Sequence, residues 1–146
     1  MNIKLLRETS VMPKRATEGS AGYDLSADIH EKVEIKCGEI VMIPTGVALE
    51  IPAGYVGLVF SRSGLGAKHG VTLANSVGVI DSDYRGEISV PLICTKKEGY
   101  TVEPQERVAQ IVIVPYFAEE LVEVSELSDT ERGEKGFGST GKSCKE

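Results

Sequence analysis

Gly136-Phe137-Gly138-Ser139-Thr140-Gly141-Lys142-Ser143 combines glycines, hydroxyls and a cation, a mixture suited to phosphate. The string spells both G-x-x-x-x-G-K-[ST] and, within it, G-x-G-x-x-G. Both patterns work only where a strand feeds the glycines and a helix opens directly after them, because the phosphate sits on the helix's first N–H groups. Only Cys144-Lys145-Glu146 follow, and Asp129–Lys135 before it is too charged for a buried strand, so both matches are set aside. The chemistry of the letters remains. Glycines let backbone wrap a ligand, successive N–H groups form an anion nest, Ser139 and Thr140 add donors, and Arg132 adds a forked cation. Such a terminal arm either closes over a phosphate or is a disordered glycine-rich end.

Four further segments carry more polar chemistry than a scaffold needs. In Ala21-Gly22-Tyr23-Asp24-Leu25, Asp24 is an acid among apolar neighbours. It is suited to a metal-bound water or to an ordinary Asx turn. Ser61-Arg62-Ser63-Gly64-Leu65 follows the apolar run Val56–Phe60 and opens a short helical piece, Leu65–His69. Arg62, Ser63 and the N–H groups around Gly64 make a phosphate site, or a serine cap beside a solvated arginine. From Asn75 to Glu87, apolar Val77, Gly78, Val79 and Ile80 lead straight into Asp81, then a turn with Tyr84. A carboxylate at the edge of an apolar hairpin is a candidate general base, and Tyr84 offers a flat face to a sugar or base; as a plain hairpin, Ser82-Asp83 is simply its turn. Gln110 interrupts the apolar strand Val108–Tyr116. A buried amide costs a few kcal/mol unless hydrogen-bonded, so it requires a partner, backbone or ligand.

The elements that must hold these residues are short strands. Apolar and β-branched runs recur at Ile3–Leu6, Val33–Ile35, Ile40–Ile43, Val47–Ile51, Val56–Phe60, Ile88–Ile93, Tyr100–Val102, Val108–Tyr116 and Leu121–Val124, separated by Gly- and Pro-containing breakers. That spacing predicts an all-β sandwich or barrel. Pro44, Pro52, Pro91 and Pro115 are expected at strand ends, edges or bulges. A chain of 146 residues, 41% hydrophobic, is one domain with a real core. After Val124 the composition turns charged and glycine-rich, so residues 1–124 are expected to form the β body and residues 125–146 a flexible arm.

Bulk properties narrow the function classes. A net charge of −6 argues against a nucleic-acid-coating protein. No apolar run approaches the ~20 residues that span a membrane, and Met1–Arg7 lacks a secretory h-region, so a cytoplasmic protein is expected. Three cysteines, Cys37, Cys94 and Cys144, have no metal-type spacing and read as reduced thiols; His30 and His69 read as surface residues.

Taken together and in this order, the five segments resemble the five motifs of the homotrimeric dUTPase family, over residues 16 to 141. The specific combination is Arg62-Ser63-Gly64-Leu65, Gly78-Val79-Ile80-Asp81 with Tyr84-Arg85-Gly86, and Arg132-Gly133 followed by Gly136–Gly141. The resemblance implies a jelly-roll-like β fold and a homotrimer. Its three active sites lie at subunit contacts, with the C-terminal arm closing a neighbour's site. It implies hydrolysis of dUTP to dUMP and pyrophosphate, which lowers dUTP and supplies dUMP for thymidylate synthesis. Asp81 would activate the water. Asn75 and the backbone of Gly78, Val79 and Ile80 would read uracil, and Tyr84 would pack under the deoxyribose. Arg62, Ser63, Gly64 and Gln110 would hold phosphates or order the water. Asp24 would touch Mg²⁺ through a water. Arg132, Gly138, Ser139 and Thr140 would clamp the outer phosphates while Phe137 stacks on the base. One departure is Ser61, where many relatives carry proline, so a looser entry to the second motif is expected. The alternatives are a dCTP deaminase-like or bifunctional enzyme, and a nucleotide-gated regulatory protein on the same fold. Against the first, no acidic residue stands out as a deaminase proton shuttle.

Overall fold

The computed structural model describes residues 1–134. Within them lie eleven strands: β1 (Asn2–Leu5), β2 (Tyr23–Ser26), β3 (Val33–Ile35), β4 (Ile40–Pro44), β5 (Val47–Glu50), β6 (Tyr55–Ser61), β7 (Val71–Leu73), β8 (Gly78–Ile80), β9 (Ser89–Cys94), β10 (Tyr100–Val102) and β11 (Arg107–Pro115). A single helical turn, Leu65–His69, joins β6 to β7. The strands form four small antiparallel sheets: β2-β11-β6-β8, β4-β9-β7, β1-β5 and β10-β3. This is the expected all-β, jelly-roll-like architecture. Alternation drives it: in β9, Val90, Leu92 and Cys94 are buried while the residues between them are not. Leu25, Ile43, Val59, Val90, Leu92 and Ile111 join one apolar cluster fed by both larger sheets.

Two strands, β2 and β7, lie where no long apolar run marks them. Pro44 and Pro115 end their strands and Pro52 precedes a turn, but Pro91 sits inside β9 opposite Met42. It is tolerated there because β7 has already ended at Leu73; Ala74 N donates to the Pro91 carbonyl, and the missing N–H faces that same finished side. The run Leu121–Val124 forms no strand and is exposed, since no segment among the described residues offers it a ladder partner. His30 and His69 are exposed, and Cys37 and Cys94 are free thiols, whereas Cys144 lies outside the described residues.

A polar network anchors the loop after β8. Asp28 is buried, and its carboxylate accepts from Arg7 Nε at 2.7 Å, Thr9 Oγ1 at 2.6 Å and Ser10 Oγ at 2.7 Å. Arg7 also pairs with Glu87, which accepts from Gly46 N at 2.7 Å. Gly46 has φ +68°, and a Cβ there would run into Ser10 and Asp28, so glycine is required twice over. Burial pushes the Asp28 carboxyl up, but its hydrogen bonds from Thr9, Ser10 and Arg7 outweigh this and hold it below its ordinary value. The hydrogen bond from Arg7 likewise lowers Glu87. Depressed carboxylates stabilise the fold above their unfolded pKa values, and that stability is lost as pH falls through the lower folded values. Asp28→Ala should therefore cost about 2–4 kcal/mol at neutral pH by urea denaturation, the range for stranding a buried partner. The gap to the parent protein should shrink below about pH 4. A gap independent of pH would remove this network from acid unfolding.

Candidate active site

Strand β11 brings the first polar cluster together. Gln110 lies opposite Asp24 on β2 and opposite Phe60 on β6. The register slips between Arg107 and Ala109, so β11 carries one extra residue against β2. In a regular strand, positions 107 and 110 point to opposite faces; the bulge shifts the alternation and lets both serve one site. Arg107 Nη1 accordingly reaches Asp24 Oδ2 at 2.9 Å. Arg62, just past β6, places Nε 3.2 Å from Asp24 Oδ1 and donates from Nη1 to the Arg107 carbonyl at 2.8 Å. Asp24, Arg62 and Gln110 thus converge, and Arg107 joins them. Sequence reasoning missed Arg107 as a site residue, although two polar residues three apart in a strand signal a bulge.

Gln110 finds its partner in backbone: Nε2 donates to the Ser61 carbonyl at 3.1 Å. Its amide oxygen occupies space that exists because residue 22 is glycine; a Cβ there would lie 2.6 Å away. Ser61 does not loosen the second motif. Its hydroxyl shares a 2.7 Å hydrogen bond with Thr72 and accepts from Leu73 N at 3.1 Å, tying the end of β6 to β7. Ser63 and Gly64 are exposed beyond that anchored point, at the start of the helical turn.

The second cluster is the hairpin. Asn75 and Ser76 form an exposed turn, with Ser76 at φ +63°, before β8 pairs with β6 through Gly78↔Val59, Val79↔Leu58 and Ile80↔Gly57. Strand β8 is the sheet edge, so among the described residues no further strand uses its outward backbone groups. Asp81 follows directly, exposed, beside a cleft of about 580 Å³ lined by Val56, Leu58, Val79, Ser82, Asp83 and Tyr116. The loop is closed by its own residues. Tyr84 N donates to the Asp81 carbonyl at 3.2 Å, the Tyr84 hydroxyl donates to the Glu87 carbonyl at 3.0 Å, and Arg85 Nη1 donates to the Ser82 carbonyl at 2.7 Å. Gly86 leaves the space the Tyr84 ring fills; a Cβ there would lie 2.5 Å from Cζ.

Asp24 and Asp81, one from each cluster, do not meet within one chain. Asp24 sits on one edge of the β2-β11-β6-β8 sheet and Asp81 follows the strand at the other edge. Three strand spacings separate those edges, about 14 Å across the sheet. Arg132 is exposed and lies outside any strand. Phe137, Gly138, Ser139 and Thr140 lie outside the described residues. No three His, Cys, Asp or Glu side chains among the described residues converge as a metal cage. A lone carboxylate beside guanidinium groups of the kind that suit phosphate fits a hard cation that keeps most of its water and takes its remaining ligands from phosphates, which is the habit of Mg²⁺.

A dUTPase family model matches residues 8–141. The deoxyuridine 5'-triphosphate nucleotidohydrolase of Fusobacterium nucleatum is 49% identical over 143 residues, covering 97% of this chain and 98% of that protein. That of Nautilia profundicola is 50% identical over 142 residues, covering 97% and 99%. Among solved structures, the Staphylococcus bacteriophage 80alpha dUTPase with dUpNHpp has a TM-score of 0.83 at 35% identity, covering 96% of this chain and 97% of that one. A variant dUTPase from S. aureus phage phi11, described with a coordinated structural Mg(II) ion, has a TM-score of 0.78 at 30% identity, covering 86% and 96%.

Proposed function

The chain belongs to the dUTPase family and hydrolyses dUTP to dUMP and pyrophosphate, and on that premise we propose which of its residues do so. The reaction lowers dUTP, limiting uracil incorporation into DNA, and supplies dUMP. The observation that carries the assignment is the edge strand Gly78–Ile80 ending in Asp81, with Tyr84 locked beside it. A strand edge presents backbone donors and acceptors in the plane of a base. The groups of Gly78, Val79 and Ile80, with Asn75, pair with uracil and leave cytosine mispaired. The tight hairpin has no room for a thymine methyl group. Sites that read buried hydrogen bonds reject mispaired analogues far better than apolar pockets do.

Asp81 takes a proton from a water aligned with the α-phosphorus. The water oxygen bonds to phosphorus, the bond to the β-phosphate bridge breaks, and pyrophosphate departs. Little covalent chemistry is asked of the protein, so positioning and charge carry the catalysis. Arg62, Ser63, Gly64 and Gln110 hold the phosphates, and Arg132, Gly138, Ser139 and Thr140 clamp the outer ones. Phe137 stacks on the base, and closure excludes stray water. Asp24 would hold Mg²⁺ through a bound water, and the ion would supply positive charge to the triphosphate.

A homotrimer with shared sites completes this reading. It is supported by the two half-sites on opposite sheet edges and by Phe117, Leu121 and Leu127, which are 85%, 100% and 87% exposed. Residues 1–124 form the body and residues 125–146 the arm that reaches a neighbouring site, and the enzyme acts in the cytoplasm. None of the described helices is long and apolar enough to cross a membrane.

Product analysis tests the reaction: with Mg²⁺ and each dNTP in turn, only dUTP should give a monophosphate and pyrophosphate. Ammonia from dCTP would point to the deaminase alternative. Tyr84 is proposed to exclude the ribose 2′-hydroxyl, and its ring depends on Gly86. Gly86→Ala should lower the preference for dUTP over UTP about tenfold, a change of about 1.4 kcal/mol between the two transition states. An unchanged ratio of kcat/KM values would remove Tyr84 from sugar discrimination.

A further inference from the structure

Asp24 stands in a position that a magnesium-water contact alone does not require. Each of its oxygens is held by a different arginine: Oδ1 by Arg62 Nε at 3.2 Å and Oδ2 by Arg107 Nη1 at 2.9 Å. The arginines are themselves linked, Arg62 Nη1 donating to the Arg107 carbonyl. The Asp24 side chain is only 19% exposed and that of Arg62 27%, so their contact is drier than a surface ion pair, while Arg107, 54% exposed, closes it on the solvent side. A carboxylate gripped at both oxygens by two guanidinium groups reproduces how such groups grip a phosphate. Around it, Lys14, Arg15 and Arg107 line a cavity of about 310 Å³ that Asp24 also lines. Arg62 and Arg107 hold the carboxylate, and Lys14 and Arg15 line the same cavity without pairing to it, an excess of cations that suits a polyanion.

From this geometry, and resting on the dUTPase reading of the site, we propose that Asp24 is an internal competitor for the phosphate-binding arginines. In the empty site it satisfies Arg62 and Arg107. An incoming polyphosphate must displace it, and the freed carboxylate is left without a charge partner unless the phosphate arrives with a divalent cation. A metal-free polyphosphate strands Asp24; a metal-charged one gives it a new partner. Asp24 thus sets a preference for metal-charged triphosphate over bare polyphosphate anions, including pyrophosphate product that has lost its metal.

Calorimetric titration with inorganic pyrophosphate in excess EDTA tests this without turnover. Asp24→Asn, and Asp24→Ser as a second neutral replacement, should bind metal-free pyrophosphate about tenfold more tightly than the parent, the scale of one charge-assisted hydrogen bond. With Mg²⁺ and the α,β-imido analogue of dUTP, the same variants should bind more weakly than the parent. In Asp24→Asn combined with Arg107→Gln the metal-free gain should shrink, because one of the released cations is gone. A general gain in anion affinity from losing one negative charge would raise both bindings; opposite signs for the metal-free and the metal-charged ligand distinguish the competitor role. Unchanged or weaker metal-free pyrophosphate binding in folded Asp24 variants, while the parent binds the imido analogue, overturns the competitor role and leaves the site assignment standing. Failure of the parent itself to bind the imido analogue overturns both.

Discussion

Asp81→Asn should lower kcat by about 10²–10⁴-fold while leaving nucleotide affinity and oligomeric state in place, the usual cost of losing a general base. The substitution is nearly isosteric. The turn that follows uses the backbone carbonyl of residue 81, which accepts from Tyr84 N, so it survives the change. The remaining loop contacts run through Tyr84, Arg85 and Glu87 and do not involve the side chain of residue 81. What is lost is an acceptor for the proton of the attacking water, since an amide is not a useful base at neutral pH. Single-turnover hydrolysis with saturating enzyme isolates that step from binding and release. Titration with the α,β-imido analogue should give an affinity near that of the parent. Near-normal turnover by a pure Asp81→Asn sample would require another base.

How much of this was legible in the sequence depends on whether a residue's partner is local. Strands β4, β5, β6, β9 and β11 follow apolar runs because alternation against a single core is a local signal. β2 and β7 were hidden. Tyr23–Ser26 mixes site chemistry with packing, and Val71–Leu73 is only three residues long. Asp24, Arg62 and Gln110 were visible as polar residues in apolar surroundings, and their convergence followed. Arg107 was not, because its direction depends on a bulge set by pairing with β2. The Arg7–Asp28–Glu87 network was equally invisible, since it joins residues up to eighty positions apart. Ser61 was misjudged from its type alone: proline would stiffen that backbone, but the serine hydroxyl ties it across to β7 instead. The run Leu121–Val124 has strand composition and no strand, because a ladder needs a partner that the described chain does not provide.

That missing partner leads to the strongest test of the assembled enzyme. Arg62 follows the end of β6 with its guanidinium on Asp24, whereas Asp81 follows Ile80, which pairs with Gly57 near the other end of that strand, so the two are about 20 Å apart along β6. If each site takes Arg62 from one chain and Asp81 from another, two inactive variants repair one another. Arg62→Gln chains lack a phosphate-binding cation, and Asp81→Asn chains lack the base. Each homotrimer has three defective sites. When equal amounts are unfolded and refolded together, a site is intact when its Arg62 comes from the Asp81→Asn chain and its Asp81 from the Arg62→Gln chain. Random assortment in a closed trimer makes that combination about one quarter of all sites, so the mixture should recover about a quarter of the parent activity. Its remaining sites carry one defect or both and contribute almost nothing. Native mass spectrometry of the refolded sample establishes that mixed trimers have formed. Mixed trimers no more active than the average of the two variants would place Arg62 and Asp81 in the same chain's site, and the separation along β6 would then have to close by movement within one subunit.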